Sequence, residues 1–175
     1  PPREIPTRDS RYMGQALMLA AFSKDPSTQI GAVIVDKYNN PLGTGYNAPG
    51  SDIDDNSIDW TSMMDGSELS KHDFVIHAEI NAIKNSRRRN LSGCTLYVTA
   101  FPCKYCAIDI LESKISKIVY LDFRSHANSI LQGLHRERSE KIFAKSKRKI
   151  EICKFEDDLT WLERHLQHLR DKGIL

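Results

Sequence analysis

The sequence has no long apolar run and little charge imbalance. No stretch of its 175 residues approaches the roughly 18 consecutive apolar residues of a membrane-spanning helix, and the opening PPREIPTRDSR lacks the apolar core of a secretory signal. We therefore expect an intracellular, cytoplasmic protein that does not contact a membrane. A net charge of +2 also lacks the basic excess of dedicated nucleic-acid-binding proteins, so nucleic acid is not the expected partner.

Cysteine is scarce as well, with Cys94, Cys103, Cys106 and Cys153 making up the full set. Without a secretory signal, these four are expected to be reduced thiols rather than a disulfide framework. Cys94 and Cys153 lie in apolar runs typical of strands, which predicts thiols packed in the core. Cys103 and Cys106 are spaced as CxxC, a pattern shared by redox pairs and zinc sites, so the pair alone decides nothing.

With 40% apolar and 27% charged residues, the composition is that of an ordinary globular protein, and we expect one domain over residues 1–175. The chain starts at Pro1 instead of methionine, which is consistent with a piece excised from a longer protein. Apolar residues at helical spacing over 10–22 predict a first helix, capped by Asp9 or Ser10.

Strand and helix patterns alternate along most of the chain. IGAVIVD and PLGTGYN, separated by a turn, predict a hairpin. The next helix, strand, helix and strand are predicted, in this order, by HAEINAIKNS, CTLYVTA, CKYCAIDILES and KIVYLD. Such alternation favours parallel pairing, so the sheet as a whole should be mixed.

Two regions carry a weaker signal. Residues 48–74 are rich in Asp, Ser, Gly and Asn and predict a long loop, of the length that is usually functional or disordered. Towards the end of the chain we predict a helix over 128–145, a last strand in KIEICKF and a C-terminal helix over 156–175.

One histidine, one glutamate and two cysteines form a pattern with chemical meaning. HAE places His77 at a helix start, with Glu79 two residues later, and twenty-two residues separate it from PCKYC. Pro102 presets the first turn of the second helix, whose dipole favours thiolates. Zinc prefers thiolate and imidazole ligands, and a catalytic site leaves its fourth position to water. We therefore predict a Zn²⁺ site formed by His77, Cys103 and Cys106.

Glu79 is the predicted catalytic residue. The complete pattern is the signature of the zinc-dependent base deaminases, in which the glutamate carries protons and is not a ligand. Glu79 is then expected to take a proton from the attacking water, deliver it to ring N3, and later protonate the departing ammonia. Residues 48–74 are placed to act as an active-site loop that excludes bulk water.

Over residues 10–155 the chain resembles the deoxycytidylate (dCMP) deaminase family. The shared segments are, in chain order, SKDPSTQIGAVIV, GTGYN, HAEINAI, GCTLYVTAFPCKYCA and KIVY. The resemblance implies a three-layer α/β/α, cytidine-deaminase-like fold on a five-stranded mixed sheet, with Zn²⁺ as cofactor. It also implies a hydrolase of pyrimidine nucleotide metabolism that converts dCMP to dUMP with release of ammonia, working as a homo-oligomer, a hexamer or smaller.

The resemblance also assigns candidate substrate contacts. Asn47, which follows Tyr46 in the second strand, is expected to contact the sugar or the base edge. Ser23 and Lys24 lie in a segment that the family places near the substrate phosphate, although a lysine at a helix C-terminus is equally expected from the dipole alone. Ala78, in the HAE motif, is the last of the candidate substrate contacts.

Two departures from the family leave the nucleotide open. Ala48, Pro49 and Gly50 follow the Tyr-Asn pair without the family's cysteine, which weakens the expectation of regulation by dCTP and dTTP. Arg124 and His126 stand in LDFRSHAN, where the family has an Asp-Lys-Tyr-His-like segment. A dCTP or other cytosine-nucleotide deaminase is therefore an alternative. A nucleic-acid base deaminase and a non-catalytic nucleotide-sensing or assembly domain are two more.

Overall fold

A computed structural model of the chain describes residues 5–61, 69–122 and 129–174. In chain order, its helices and strands are α1 (Arg8–Ala20), β1 (Gly31–Val35), β2 (Pro41–Tyr46), β3 (Ala48–Pro49), α2 (Lys71–Phe74), β4 (Val75–Ile76), α3 (Ala78–Asn85), β5 (Thr95–Val98), α4 (Lys104–Glu112), β6 (Lys117–Tyr120), α5 (Ser129–Ala144), β7 (Glu151–Lys154) and α6 (Thr160–Asp171). No helix within these three ranges combines the length and the apolar composition that a bilayer crossing requires.

Five strands form one mixed sheet in the order β2-β1-β5-β6-β7. β1 is antiparallel to both β2 and β5, whereas β5, β6 and β7 are mutually parallel. All five residues of β1 are buried, as its β-branched run leads one to expect for a strand inside the sheet. The predicted hairpin, the parallel half of the sheet and the last strand are all confirmed.

Helices cover both faces of the sheet and complete the three predicted layers. One face carries α3, α4 and α5, whose core residues include Ala82, Ile110 and Phe143. The other face carries α1, through Tyr12 and Met13 among others, together with the start of the C-terminal region. The α/β/α expectation is therefore confirmed, and α3 and α4 share the face on which the candidate site lies.

Helix α1 starts earlier than the sequence suggested. The side chain of Thr7 caps it by accepting a hydrogen bond from the Ser10 amide at 3.1 Å, so the assignment of the cap to Asp9 or Ser10 is wrong. The side chains of Asp9 and Ser10 have other partners. Tyr97 donates to the Asp9 carboxylate at 2.6 Å, and Trp161 donates to the Ser10 hydroxyl at 2.6 Å.

Part of the predicted loop over residues 48–74 is ordered into short elements. Strand β3 pairs antiparallel with β4, with Ala48 opposite Ile76 and Pro49 opposite Val75. Helix α2 immediately precedes β4. Elements of two to four residues are too short to produce a periodic pattern, which is why the sequence did not reveal them. Residues 62–68 of this loop lie outside the described part of the chain.

The two remaining cysteines differ in their surroundings. Cys94 is only 4% exposed and packs in the core, as predicted. The same prediction is wrong for Cys153, which is partly exposed and donates its thiol hydrogen to the Glu151 carboxylate at 3.3 Å. Cys153 lies on β7, and β7 is an edge strand with one open side.

Candidate metal centre and active site

The three side chains predicted to bind a metal lie together at one end of the sheet. The Nδ1 atom of His77 is 3.4 Å from the sulfur of Cys103 and 3.3 Å from that of Cys106, and the two sulfurs are 3.7 Å apart. Cys106 is fully buried, whereas His77 and Cys103 are partly exposed. The cluster is therefore closed towards the core and open on one side.

These separations fit a tetrahedral zinc site. With Zn–S bonds of about 2.3 Å and Zn–N bonds of about 2.0 Å, two sulfur ligands lie about 3.8 Å apart and a sulfur and a nitrogen about 3.5 Å apart. The donor set of one imidazole nitrogen and two thiols is also the chemistry that zinc prefers. Three protein ligands leave one position for water or substrate, as in a catalytic site.

Two helix starts bring the three side chains together. His77 is the residue before the first turn of α3, and Cys103 holds the same place before α4. Cys106 lies in the first turn of α4, so its side chain is on the same side as that of Cys103. The partial positive charge at both helix N-termini favours ionised thiols at this point.

Hydrogen bonds among the three side chains of the cluster shift their pKa values. Hydrogen bonding to Cys106 and to His77 lowers the pKa of the Cys103 thiol to about 3. The hydrogen bond with Cys103 in turn raises the pKa of His77 to about 9. The neighbouring Cys103 and burial both raise the pKa of Cys106. A thiolate is thus available at neutral pH to bind a metal.

Glu79 lies in the first turn of α3 and is only 4% exposed. Burial raises the pKa of its carboxyl group, and the nearby Cys103 adds to this effect, although His77 opposes it. A buried carboxyl group with a raised pKa holds a proton more readily than an exposed one and can return it to a substrate. Glu79 therefore has the surroundings of a general acid and base beside the cluster.

Asn47 and Ser23, two of the candidate substrate contacts, are engaged with the backbone. Asn47 is 6% exposed, and its side-chain oxygen accepts from the Ile30 amide at 2.7 Å. Its side-chain nitrogen donates to the Thr28 carbonyl at 2.9 Å. The hydroxyl group of Ser23 donates to the Asn47 carbonyl at 2.9 Å. Ala48, the residue after Asn47, pairs with Ile76, the residue before His77, so Asn47 lies beside the segment that leads into the cluster. We call Asn47 and its hydrogen-bond partners the Asn47 wall.

The other three candidates lie in different surroundings. Lys24 forms an ion pair with Asp55 at 2.5 Å, and its side chain remains 63% exposed. The ring of Tyr46 packs against Phe22 with centroids 5.9 Å apart. Ala78 is fully buried at the first position of α3. The Arg124 and His126 positions lie outside the described residues.

A family comparison identifies this combination of fold and cluster. The family described as cytidine and deoxycytidylate deaminase zinc-binding region matches residues 6–122, two thirds of the chain. The chain belongs to this family. Zinc is therefore its metal, in agreement with the donor set of His77, Cys103 and Cys106.

Curated members of the deaminase family are similar over the same region. A probable deoxycytidylate deaminase of Caenorhabditis elegans is 41% identical over 117 residues, which cover 67% of this chain and 58% of that protein. The deoxycytidylate deaminase of Homo sapiens is 35% identical over 115 residues, which cover 66% of this chain and 65% of that protein. The chain thus spans about three fifths of the length of these relatives.

A solved deaminase has the same fold. The crystal structure of dCMP deaminase from the cyanophage S-TIM5 in complex with dCMP and dUMP matches with a TM-score of 0.61 and 23% identity. The match covers 87% of this chain and all of that one. At this identity the likeness supports the fold alone.

Sequence reasoning missed three polar residues that join the segments around this site. Lys71 and Asp25 form a buried ion pair at 2.9 Å. Asn81, one turn after His77 on α3, donates to the Tyr46 carbonyl at 2.9 Å and so ties α3 to the end of β2. Asp25 and Asn81 fall in the shared segments SKDPSTQIGAVIV and HAEINAI, which could have drawn attention to them, whereas Lys71 lies in the region without periodicity.

Proposed function

We propose that the chain is a zinc-dependent hydrolase that deaminates a deoxycytidine nucleotide, converting dCMP to dUMP with release of ammonia. The observation that carries this proposal is a buried carboxyl group of raised pKa, that of Glu79, beside a zinc-compatible cluster with one open side. A purely structural zinc site has no use for a buried proton carrier beside it. The similarity to deoxycytidylate deaminases supports the choice of base and sugar.

His77, Cys103 and Cys106 hold the metal in this proposal. When bound, zinc supplies a Lewis acid that lowers the pKa of a coordinated water towards neutrality. Glu79 accepts the proton of the attacking water and delivers it to N3 of the cytosine ring, which activates C4 for addition. Glu79 then takes the proton of the hydroxyl group added at C4 and transfers it to the amino group, so that the C–N bond breaks, ammonia leaves and a carbonyl group remains.

Substrate positioning is assigned to the wall beside the cluster. The Asn47 amide retains a second hydrogen and a second lone pair beyond its two backbone bonds, and these can contact the sugar or the base edge. Tyr46, the residue before Asn47, and Ala78, the residue after His77, are assigned to the same substrate site. The Ser23 hydroxyl donates to the Asn47 carbonyl and so helps to hold Asn47 in place.

The substrate phosphate is assigned to Lys24, which Asp55 neutralises in the structure. A phosphate group would compete with the Asp55 carboxylate for the lysine ammonium. Because Asp55 belongs to the loop over residues 48–74, the same exchange would couple phosphate binding to that loop and give it the role of a lid. A triphosphate could use the same lysine, so dCTP is a second candidate substrate.

Ammonia release from dCMP, dCTP, deoxycytidine and cytidine tests this proposal, with the purified protein analysed for zinc. We expect kcat/KM for dCMP to exceed that for deoxycytidine and for cytidine by at least about tenfold, as one charged contact to phosphate would provide, and to exceed that for dCTP as well. A preference for dCTP would assign the triphosphate instead. Inert behaviour towards all four, with zinc bound, would contradict the proposal and favour a nucleic-acid substrate or a sensing role.

We also propose that the protein acts in the cytoplasm as a homo-oligomer, a hexamer or smaller. Tyr105 and Ile108, one turn apart on α4, are 64% and 50% exposed and support a contact between copies. The four cysteines are all free thiols, as a reducing compartment requires. Light scattering of the purified protein tests the assembly, and a monomer at micromolar concentration would contradict it.

A further inference from the structure

A buried ion pair between Lys71 and Asp25 has no part in the chemistry described above. The Lys71 ammonium donates to the Asp25 carboxylate at 2.9 Å and also to the Ser27 hydroxyl. The side chains of Lys71 and Asp25 are only 6% and 8% exposed. Because the desolvation of two charges offsets most of their attraction, such a pair adds little stability and is better explained by the geometry that it fixes.

Asp25 organises a turn. Its carboxylate accepts from the Ser27 amide at 2.9 Å and from the Thr28 amide at 3.2 Å. Burial pushes the pKa of Asp25 upward, but hydrogen bonds from Lys71 and Ser27 outweigh this effect and lower the pKa. The carboxylate is therefore ionised at neutral pH and holds residues 25–28 in one conformation.

The same turn holds Asn47. The side-chain nitrogen of Asn47 donates to the Thr28 carbonyl at 2.9 Å, and the Ile30 backbone amide donates to the Asn47 side-chain oxygen at 2.7 Å. The position of the Asn47 side chain is thus set by the turn that Asp25 closes. A shift of this turn would move the wall against which the sugar and base are proposed to lie.

Lys71 stands on the other side of the pair, at the start of α2. The chain continues from α2 through β4 directly to His77. The ion pair consequently joins two segments, one that places Asn47 and one that leads into the metal centre. The pairing of β3 with β4 joins the same two segments on the far side of Asn47.

We infer that Asp25 and Lys71 are positioning residues that fix the position of the Asn47 wall relative to the metal centre. Neither residue is proposed to contact substrate, and the inference rests on the proposed function. Since the wall binds the nucleotide equally in the ground state and in the transition state, its displacement should raise KM and leave kcat nearly unchanged.

The double variant Asp25→Asn/Lys71→Met separates positioning from folding. Asparagine keeps an oxygen for the Ser27 and Thr28 amides, and methionine keeps the length and volume of the lysine stem, while both buried charges are removed together. We expect KM for dCMP to rise about tenfold, as for the loss of one well-placed hydrogen bond, with kcat within about threefold and zinc content unchanged.

The matched control is Lys141→Met, which makes the same substitution in an exposed pair with Glu137 and should leave KM unchanged. Thermal unfolding of each variant shows whether it is folded. Should the double variant not fold, Lys71→Arg alone, which keeps both charges but changes the geometry of the pair, carries the same expectation at smaller magnitude. Unchanged KM in the folded variant, or a loss of kcat or zinc at constant KM, would overturn the inference. A wild-type protein inert towards every cytosine nucleotide would refute the proposed function, and the inference with it.

Discussion

A Glu79→Gln variant is expected to keep its zinc and to lose kcat by about three to four orders of magnitude, the upper range for a general acid and base. Glutamine has nearly the volume of glutamate and fits the same buried position, but it cannot accept and return a proton. KM for dCMP should change little, because Asn47 and Lys24, which are proposed to hold the bound nucleotide, are unchanged. Steady-state kinetics together with zinc analysis of the same sample measure both effects.

Glu112→Gln serves as the control for this variant. Glu112 is the last residue of α4 and is exposed, so the same loss of charge occurs far from the proton-transfer path. Its kcat should equal that of the wild-type protein. If the Glu79→Gln variant kept a tenth or more of wild-type kcat, the assignment of Glu79 as the proton carrier would have to be abandoned.

A Cys103→Ser variant is expected to lose both metal and activity. A serine hydroxyl stays protonated at neutral pH and does not replace a thiolate as a zinc ligand. Zinc affinity should fall by more than about 100-fold, since changes to residues that only support a ligand already cost 10–100-fold. Titration with zinc against a chelator of known affinity measures the change, and activity at limiting zinc should fall in parallel.

Cys153→Ser provides the matched cysteine control. Cys153 lies on β7 outside the cluster, and its thiol contacts Glu151, so this variant should bind zinc with wild-type affinity. Equal loss of zinc in both variants would mean that unfolding explains the effect. Full zinc retention in the Cys103→Ser variant would remove Cys103 from the ligand set.

Local sequence patterns were sufficient to predict much of the fold. The β-branched run of β1 is buried at every position, and the alternation after His77 produced the parallel strands in the predicted order. The three candidate ligands could also be found, because each depends on a local feature: two helix starts and the three-residue step within one helix turn. Such features need no knowledge of tertiary contacts.

Contacts between distant segments could not be predicted. Asp25 and Lys71 are 46 positions apart, and the Lys24 to Asp55 pair likewise joins two regions without a shared pattern. A buried lysine has no signature in one sequence, since nearly all lysines are exposed. For the same reason, the family resemblance predicted a substrate contact for Asn47 without revealing that its side-chain amide also holds the backbone of Thr28 and Ile30.

The most direct test of hydrolytic deamination is the mass of the product formed from dCMP in water labelled with heavy oxygen. The account predicts dUMP that carries one labelled oxygen at C4, with one ammonia released for each dUMP, in the wild-type protein and not in the Glu79→Gln variant. Unlabelled dUMP, or dCMP recovered unchanged from a fully zinc-loaded protein, would contradict it.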